Sequence, residues 1–189
     1  METTTNAATA TKTKWNLDAS HSDLEFSVKH MMISTVKGHF TKFNIDMESE
    51  GSDFEKSNLT VTVDTDSIYA GDENRNGHLK SGDFFDVANF ANATFKSTSI
   101  EKINNDGKLK VHGDLTIKDV TKPLTVDVEY TGTGVDPYGN VKAGFEFSTV
   151  INRTDFGLNW NVPLESGGLL VSQNVKIFGG LQFAKQKEA

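Results

Sequence analysis

The chain has 189 residues, a formal net charge of -7 and no cysteine. A chain of this length usually forms one domain, large enough to bury a core or to enclose a cavity. The acidic balance and the lack of a Lys/Arg cluster argue against nucleic acid as a partner, and the lack of cysteine excludes disulfides and thiolate metal sites.

The N-terminal stretch is predicted to be a disordered arm over residues 1–13, because it consists mainly of small and polar residues. Residues 14–189 are predicted to form a single domain. The arm lacks the apolar segment of a secretory signal, and no later stretch approaches the roughly 18 apolar residues of a transmembrane helix. We therefore expect a cytoplasmic protein, or a periplasmic one if a leader was removed ahead of residue 1.

The first strands are predicted from apolar residues at alternate positions, which is the period of a strand with one buried face. Residues 15–19 form the first strand, residues 24–30 the second and residues 38–47 the third. Phe40 is out of phase with the apolar residues that follow it, so we expect a bulge or kink near Thr41.

The middle of the chain alternates less regularly. Residues 48–57 are polar and are predicted to be a connection, whereas residues 59–63 show a clear strand pattern. Residues 66–92 are rich in Asp, Asn and Gly but also hold large apolar side chains. We predict that this segment is a partly helical lid or plug over one barrel end, with a short helix capped by Asp66 or Ser67 and another turn or two over residues 79–85.

The remaining strands are separated by turns and one irregular loop over residues 152–168. Pro123 should begin its strand, because proline lacks the N–H that a central strand position needs. Gly179 and Gly180, inside the last strand, predict a sharp bend or a close approach of another backbone segment. These strands are predicted at residues 95–103, 109–117, 123–130, 145–151 and 175–183.

Eight or nine strands, joined mainly by short turns and without helix–strand alternation, predict an antiparallel sheet. A closed barrel removes the exposed sheet edges, but a two-sheet sandwich fits the same periodicity. Thirteen phenylalanines against three tyrosines indicate an interior lined by rings without hydroxyls. That interior is either an ordinary filled core or an elongated apolar cavity, and periodicity alone does not separate the two.

Candidate catalytic and metal sites are few. His21, His30 and His39 are nine residues apart, which is not the spacing of ligands on one helix. Hydrogen bonding to a turn, a position at a strand end and exposure to solvent account for these three residues equally well. Neither a G-x-S-x-G motif nor a phosphate-binding loop is present, and the paired loop carboxylates are interpreted as solvated charges. No metal, cofactor or catalytic residue is predicted.

Several blocks of the sequence follow one family pattern in the same order. The first reads D-x-x-H-S-x-x-x-F-x-x-x-H followed by V-x-G-x-F, and it is formed by Asp18, His21, Ser22, Phe26, His30, Val36, Gly38 and Phe40. The later blocks are HLKSGDFFDV, TFKST, GDLTI with VTKP, and NRTDFGL. On these blocks the chain resembles the YceI-like family of polyisoprenoid-binding proteins. It departs from the family pattern at Asn76 and Gly77, Ala91 and Asp119, all in predicted loops or turns.

The resemblance implies an all-β fold: an extended, lipocalin-like antiparallel barrel of eight strands with a long interior channel. It implies a polyisoprenoid or similar long-chain amphipathic lipid, of the isoprenoid quinone type, as the ligand, and it implies no catalysis. Homodimers are common in the family. The leading hypothesis is therefore non-enzymatic binding, transport or storage of such a lipid. The alternatives are a lipid-modifying hydrolase or isomerase with His30 or His78 as the base, and a stress-related interaction module with a filled core.

Candidate ligand contacts follow from this hypothesis. Each buried methylene contributes about 0.8 kcal/mol, so a long chain offsets the freedom it loses on binding, whereas selectivity must come from the head group. The tail contacts are predicted at Phe26, Val28, Phe40, Phe43, Ile45, Phe84, Phe85, Phe95, Phe145, Phe147, Phe156, Leu158 and Trp160. The head-group contacts are predicted at His30, Asn152 and Arg153.

Overall fold

The computed structural model of the protein describes residues 11–187. The strands are β1 (Lys12–Leu17), β2 (Glu25–His30), β3 (Ser34–Phe40), β4 (Phe43–Glu50), β5 (Asp53–Asp64), β6 (Ile68–Tyr69), β7 (Asn92–Lys102), β8 (Lys108–Ile117), β9 (Val120–Val135), β10 (Val141–Asn152) and β11 (Val171–Lys185). The helices are α1 (Glu73–Lys80) and three short 3₁₀ helices, Ala19–His21, Thr65–Ser67 and Arg153–Phe156. Residues 1–10 of the predicted arm lie outside the described residues, whereas Lys12 and Thr13 belong to β1.

The strands form a closed antiparallel barrel. β1 pairs with the C-terminal part of β11 and β2 with its N-terminal part, so β1 and β2 act as one interrupted strand. The next two positions of the barrel are interrupted in the same way. β4 pairs with β1 and β3 pairs with β2, and then β5 pairs with β4 and β6 pairs with β3. Counting each interrupted pair once gives eight strands, and β11 closes the ring. The predicted eight-stranded barrel is confirmed, and the two-sheet sandwich is excluded.

The interruptions fall where three strands must bend together. The predicted irregularity near Thr41 is confirmed, because β3 ends at Phe40 and β4 begins at Phe43. In the interruption between β1 and β2, the Asp23 N–H donates to the Gly180 carbonyl (2.9 Å) and so continues the ladder. A Cβ at Gly179 would collide with the Asp23 carbonyl oxygen. The predicted close approach at Gly179 is therefore also confirmed.

Two predictions about strand limits are wrong. Residues 48–57 are not a connection, because β4 continues to Glu50 and β5 begins at Asp53 around a tight turn. Small buried polar residues such as Ser49 and Ser57 face inward there, and they resemble loop residues in the sequence. Pro123 does not begin its strand but lies inside β9, opposite Asp114. It is tolerated because β9 pairs with β10 only from residue 127 onward, which leaves the second edge free at Pro123.

The two ends of the barrel differ in construction. The turn end carries the short connections at residues 51–52, 103–107 and 136–140. The lid end carries the turn at residues 31–33, the segment 65–91 and the loop 157–170. The α-helix in the lid segment is α1, rather than a helix capped by Asp66 or Ser67 or one over residues 79–85. The Asp72 side chain accepts the Arg75 N–H (2.9 Å) and starts the helix there. Neither α1 nor a 3₁₀ helix of residues 11–187 has the length and apolar character needed to cross a membrane.

Asp18 joins the interruption between β1 and β2 to the neighbouring strands. Its carboxylate accepts hydrogen bonds from Lys142 Nζ (2.8 Å), Gln182 Nε2 (3.1 Å) and Ser20 Oγ (2.7 Å). The Asp18 side chain is 16% exposed. The hydrogen bond from Lys142, followed by that from Ser20, holds the pKa of Asp18 well below its usual range.

We predict that Asp18→Asn lowers the free energy of unfolding at pH 7 by about 1–2 kcal/mol, because it removes a charge-assisted network. A lowered carboxyl pKa stabilises the folded state above the unfolded pKa of about 4, and this stabilisation is lost as the pH falls further. The difference between wild type and variant should therefore shrink between pH 5 and pH 2, as measured by urea unfolding at each pH. Asp127→Asn, at an exposed pair with Lys110, is the control and should change stability little. Equal effects of the two variants at pH 7 would contradict this role for Asp18.

Candidate functional site

The barrel encloses an elongated cavity with a volume of about 590 Å³. This volume lies within the range of small-molecule sites, roughly 300–1,000 Å³. At the turn end the interior is filled by an aromatic cluster, in which the Phe54 ring lies 5.0 Å from Phe145 and 5.4 Å from Tyr130. From this cluster the cavity extends to the lid end. The sequence left open whether the interior is a filled core or an apolar cavity, and the structure contains a cavity.

The cavity wall is almost entirely apolar, because alternate residues of each strand point inward. Inward residues of β9 such as Leu124, Val126 and Val128 are only partly buried, because they face the cavity rather than a neighbouring layer of side chains. Among the described residues the lining contains no carboxylate. Its polar members are His30, Ser57, Asn74, Arg75, His78, Thr94, Thr149 and Arg153.

Fourteen of the sixteen predicted contact residues line this cavity. They are Phe26, Val28, His30, Phe40, Phe43, Ile45, Phe84, Phe85, Phe95, Phe145, Phe147, Arg153, Leu158 and Trp160. Asn152 does not, because its side chain accepts hydrogen bonds from the N–H (3.0 Å) and Oγ1 (2.7 Å) of Thr154. Phe156 is buried in the lid-end core outside the cavity lining. Contact of any of these residues with a ligand stays a prediction.

Arg153 is held by the backbone of the lid end. The residue is buried, with 4% of its surface exposed. Its Nε donates to the Ser172 carbonyl (2.9 Å), and its Nη2 donates to the Val171 carbonyl (3.2 Å). Nη1 donates to the carbonyls of Leu158 (2.5 Å) and Trp160 (3.0 Å). Burial lowers the pKa of Arg153. With most donors occupied, Arg153 fastens the loop 157–170 to β11 and leaves little capacity for a head group.

The mouth of the cavity lies beside the first turn of α1. Asn74 and Arg75 are the exposed residues of the lining, whereas the other lining residues are buried or half-buried. The Arg75 guanidinium donates from Nη1 to the Ala70 carbonyl (2.6 Å). Sequence reasoning missed Asn74 and Arg75. Residues 72–80 show no apolar periodicity, so the sequence does not indicate which helix face points to the cavity. Asp72, a residue type typical of an N-cap, was the one signal that could have located the helix.

His78 connects α1 to the loop 157–170. Its ring packs edge-on against Trp160, with centroids 4.6 Å apart, and against Phe84 at 5.1 Å. Its Nε2 lies 2.9 Å from Asp83 Oδ2. The lid segment and the loop therefore meet through this ring, next to Arg153.

The three histidines nine residues apart do not converge. His21 Nδ1 bonds Ser20 Oγ (3.1 Å) at the interruption between β1 and β2, and His39 packs on Tyr69. His30 ends β2 and lines the cavity at the lid end. Within residues 11–187, no three His, Asp or Glu side chains are grouped closely enough to hold a metal ion.

Comparison with known proteins identifies the family. The model of the YceI-like domain matches residues 15–183. The chain belongs to the YceI-like family. A UPF0312 protein of Staphylococcus aureus strain N315 is 39% identical over 173 residues, which cover 91% of this chain and 98% of the relative.

Solved structures of relatives share the barrel of this YceI-like chain. BcnA of Burkholderia cenocepacia is 25% identical, with a TM-score of 0.74 over 88% of this chain and 98% of that one. The YceI protein of Campylobacter jejuni is 30% identical, with a TM-score of 0.72 over 85% of this chain and 90% of that one. A polyisoprenoid binding domain from Saccharophagus degradans is 16% identical, with a TM-score of 0.65 over 91% of this chain and 98% of that one. At that identity the last comparison shows the fold alone.

We predict that Arg153→Lys lowers the free energy of unfolding by about 2–3 kcal/mol, because an ammonium cannot reproduce the forked geometry and leaves buried carbonyls unpaired. Chemical unfolding measures the loss, and hydrogen exchange should show faster opening of the loop 157–170. Arg75→Lys is the matched control and should leave stability nearly unchanged, because Arg75 is exposed. An Arg153→Lys variant as stable as wild type but unable to bind lipid would instead place Arg153 at the ligand.

Proposed function

We propose that the protein is a non-enzymatic carrier or store for a polyisoprenoid or similar long-chain amphipathic lipid, of the isoprenoid quinone type, bound inside the barrel. The observation that carries this proposal is the elongated cavity of about 590 Å³ with its apolar wall. The S. degradans neighbour, which is described as a polyisoprenoid binding domain, shares the fold; the choice of lipid for this chain rests on the YceI-like sequence blocks.

The energetics favour a long chain over a small metabolite. Ten buried methylene groups contribute roughly 8 kcal/mol gross, from which the lost freedom of the ligand removes several kcal/mol. The wall offers a tail few hydrogen-bonding groups, so successive isoprene units are distinguished poorly and the head group sets the selectivity.

The head group is best accommodated at the lid end. Polar lining residues concentrate there, with Asn74, Arg75 and His78 on one side of α1 and His30 at the end of β2. A head group at this mouth keeps access to water, whereas one buried among the aromatic rings of the turn end would lose its hydrogen bonds. The tail then runs toward Phe54 and Phe145.

The lining also bears on catalysis. His30 and His78 are the imidazoles of the wall. In the described chain the lining contains no carboxylate, and no serine or threonine is hydrogen-bonded to either ring; the partner of His78 Nε2 is Asp83 (2.9 Å), which lies outside the lining. This arrangement favours binding over a lipid-modifying activity.

A homodimer and a cytoplasmic location stay predictions from the sequence.

We predict that delipidated protein takes up an added prenyl quinone and melts at a higher temperature. Lipid at 100 times its Kd stabilises the folded state by about 2.7 kcal/mol, which corresponds to a rise in Tm of roughly 5–10 °C for a chain of this size. Val126→Trp places an indole ring in the cavity and should reduce uptake, because it occupies the volume of the tail. Val150→Trp, at an exposed position (56%), is the matched control and should bind like wild type.

Two readouts check this prediction: native mass spectrometry of the purified protein and thermal unfolding with and without quinone. Absence of co-purifying lipid, together with a Tm that quinone leaves unchanged, would contradict the proposed function. Equal uptake by Val126→Trp and wild type would place the lipid outside the cavity.

The orientation of the lipid gives a second prediction, at Ser57. Its Oγ is the buried side-chain polar atom without a hydrogen-bond partner in residues 11–187, and it lines the cavity toward the turn end. If the tail lies there, Ser57→Ala should raise the stability of the lipid-free protein by up to about 1 kcal/mol and leave quinone affinity unchanged or slightly higher. Ser49→Ala is the control and should destabilise, because Ser49 Oγ accepts from Trp15 Nε1 (2.8 Å). A tenfold loss of affinity in Ser57→Ala would place the head group at the turn end.

A further inference from the structure

An apolar turn lies at the lid end of the barrel, directly after the cavity-lining residue His30. In the turn between β2 and β3, Met31, Met32 and Ile33 are 41%, 73% and 81% exposed. The Met31 N–H donates to the carbonyl of Leu170 (2.7 Å), a cavity-lining residue. Leu169, 41% exposed, extends the same surface. We call these four side chains, Met31, Met32, Ile33 and Leu169, the docking tip.

Neither backbone preference nor core packing explains methionine in this turn. Met31 and Met32 have φ angles of 53° and 58°, and the Ile33 N–H donates to the His30 carbonyl (3.1 Å). A turn with both central residues in the left-handed region strongly favours Asn and Gly, because other side chains are strained there. The two methionines are thus held in strained conformations and left in water. This combination indicates a surface that is covered by a partner.

The size and composition of the docking tip favour a bilayer over a protein. Four aliphatic side chains fall short of the roughly 800 Å² per partner that a specific protein interface buries. A bilayer accepts apolar side chains without shape complementarity, and flexible methionine adapts to such an environment. We propose that the docking tip inserts into a lipid bilayer and sets the mouth of the cavity against the membrane surface. The proposal rests on the proposed function in one respect, namely that the cargo is a lipid that resides in membranes.

Charge near the mouth is not positive overall. Arg75 is exposed at the mouth, but Asp72 and Glu73 lie in the same turn of α1, and the whole chain carries a net charge of -7. Docking therefore depends on apolar insertion rather than on attraction to anionic lipids. Vesicles of phosphatidylcholine should suffice, and adding phosphatidylglycerol should change the partition coefficient by less than about threefold.

The test replaces the turn by its preferred sequence. Met31→Asn with Met32→Gly suits a turn with two positive φ angles, so this double variant should fold with a Tm at or above that of wild type. Its partition onto phosphatidylcholine vesicles, measured by sedimentation, should fall at least about tenfold, because two apolar side chains no longer insert. Val135→Ser with Tyr138→Ser removes exposed apolar side chains (70% and 86%) at the turn end and should partition like wild type.

Loading from detergent separates failure of docking from failure of the proposed function. Wild type that takes up prenyl quinone from micelles but ignores vesicles, or a double variant that partitions like wild type, overturns the docking proposal and leaves the cavity function standing. Wild type that takes up no quinone from micelles contradicts the cavity function, whatever happens on vesicles. A wild-type dimer in sedimentation equilibrium that the double variant abolishes, without vesicle binding, assigns the docking tip to a second copy of the chain and overturns the proposal.

Discussion

Barrel closure depends on one long strand, β11, that holds two short strands along the same edge. β1 and β2 reach β11 on either side of their interruption. Gly179 lets the Asp23 carbonyl lie against the backbone of β11, and the hydrogen bonds of Asp18 and Asp23 continue the ladder across the gap. A side chain at position 179 would separate these segments and open the barrel along one edge. The cavity thus depends on a contact that touches no ligand.

Two arginines at the lid end show how partners decide the role of a residue. Arg153 is buried, and four backbone carbonyls take up most of its donors. Arg75 lies at the mouth with one backbone partner. The first is therefore a structural fastening for the loop 157–170, and the second remains available to a head group or to the membrane surface. From the residue type alone, both arginines would be expected to have the same role.

Most of the fold and of the cavity wall was predictable, because a period of two determines which face of a strand a residue occupies. Asn152 and Phe156 lie outside the cavity lining. Asn152 caps the 3₁₀ helix Arg153–Phe156 and Phe156 ends it, and alternation does not assign a face in such a helix. The fastening role of Arg153 was hidden because its carbonyl partners lie 5 to 19 residues away in sequence. Arg75 lies on a polar helix without periodicity. Sequence patterns therefore described the wall well and the mouth poorly.

In the proposed function, the partly buried wall links the capture of a lipid tail to its release. Inward side chains such as Val126 complete their burial only when a tail occupies the cavity, so binding and stability are linked. The same gain, about 0.8 kcal/mol per methylene, opposes release into water, where the tail would be fully exposed. Release is favourable only where another apolar phase receives the tail as it leaves. Met32 and Ile33 are exposed at the lid end, and a bilayer that accepts them would supply such a phase. In the proposed function, the apolar cavity wall and the exposed apolar turn therefore both serve the transfer of a lipid tail.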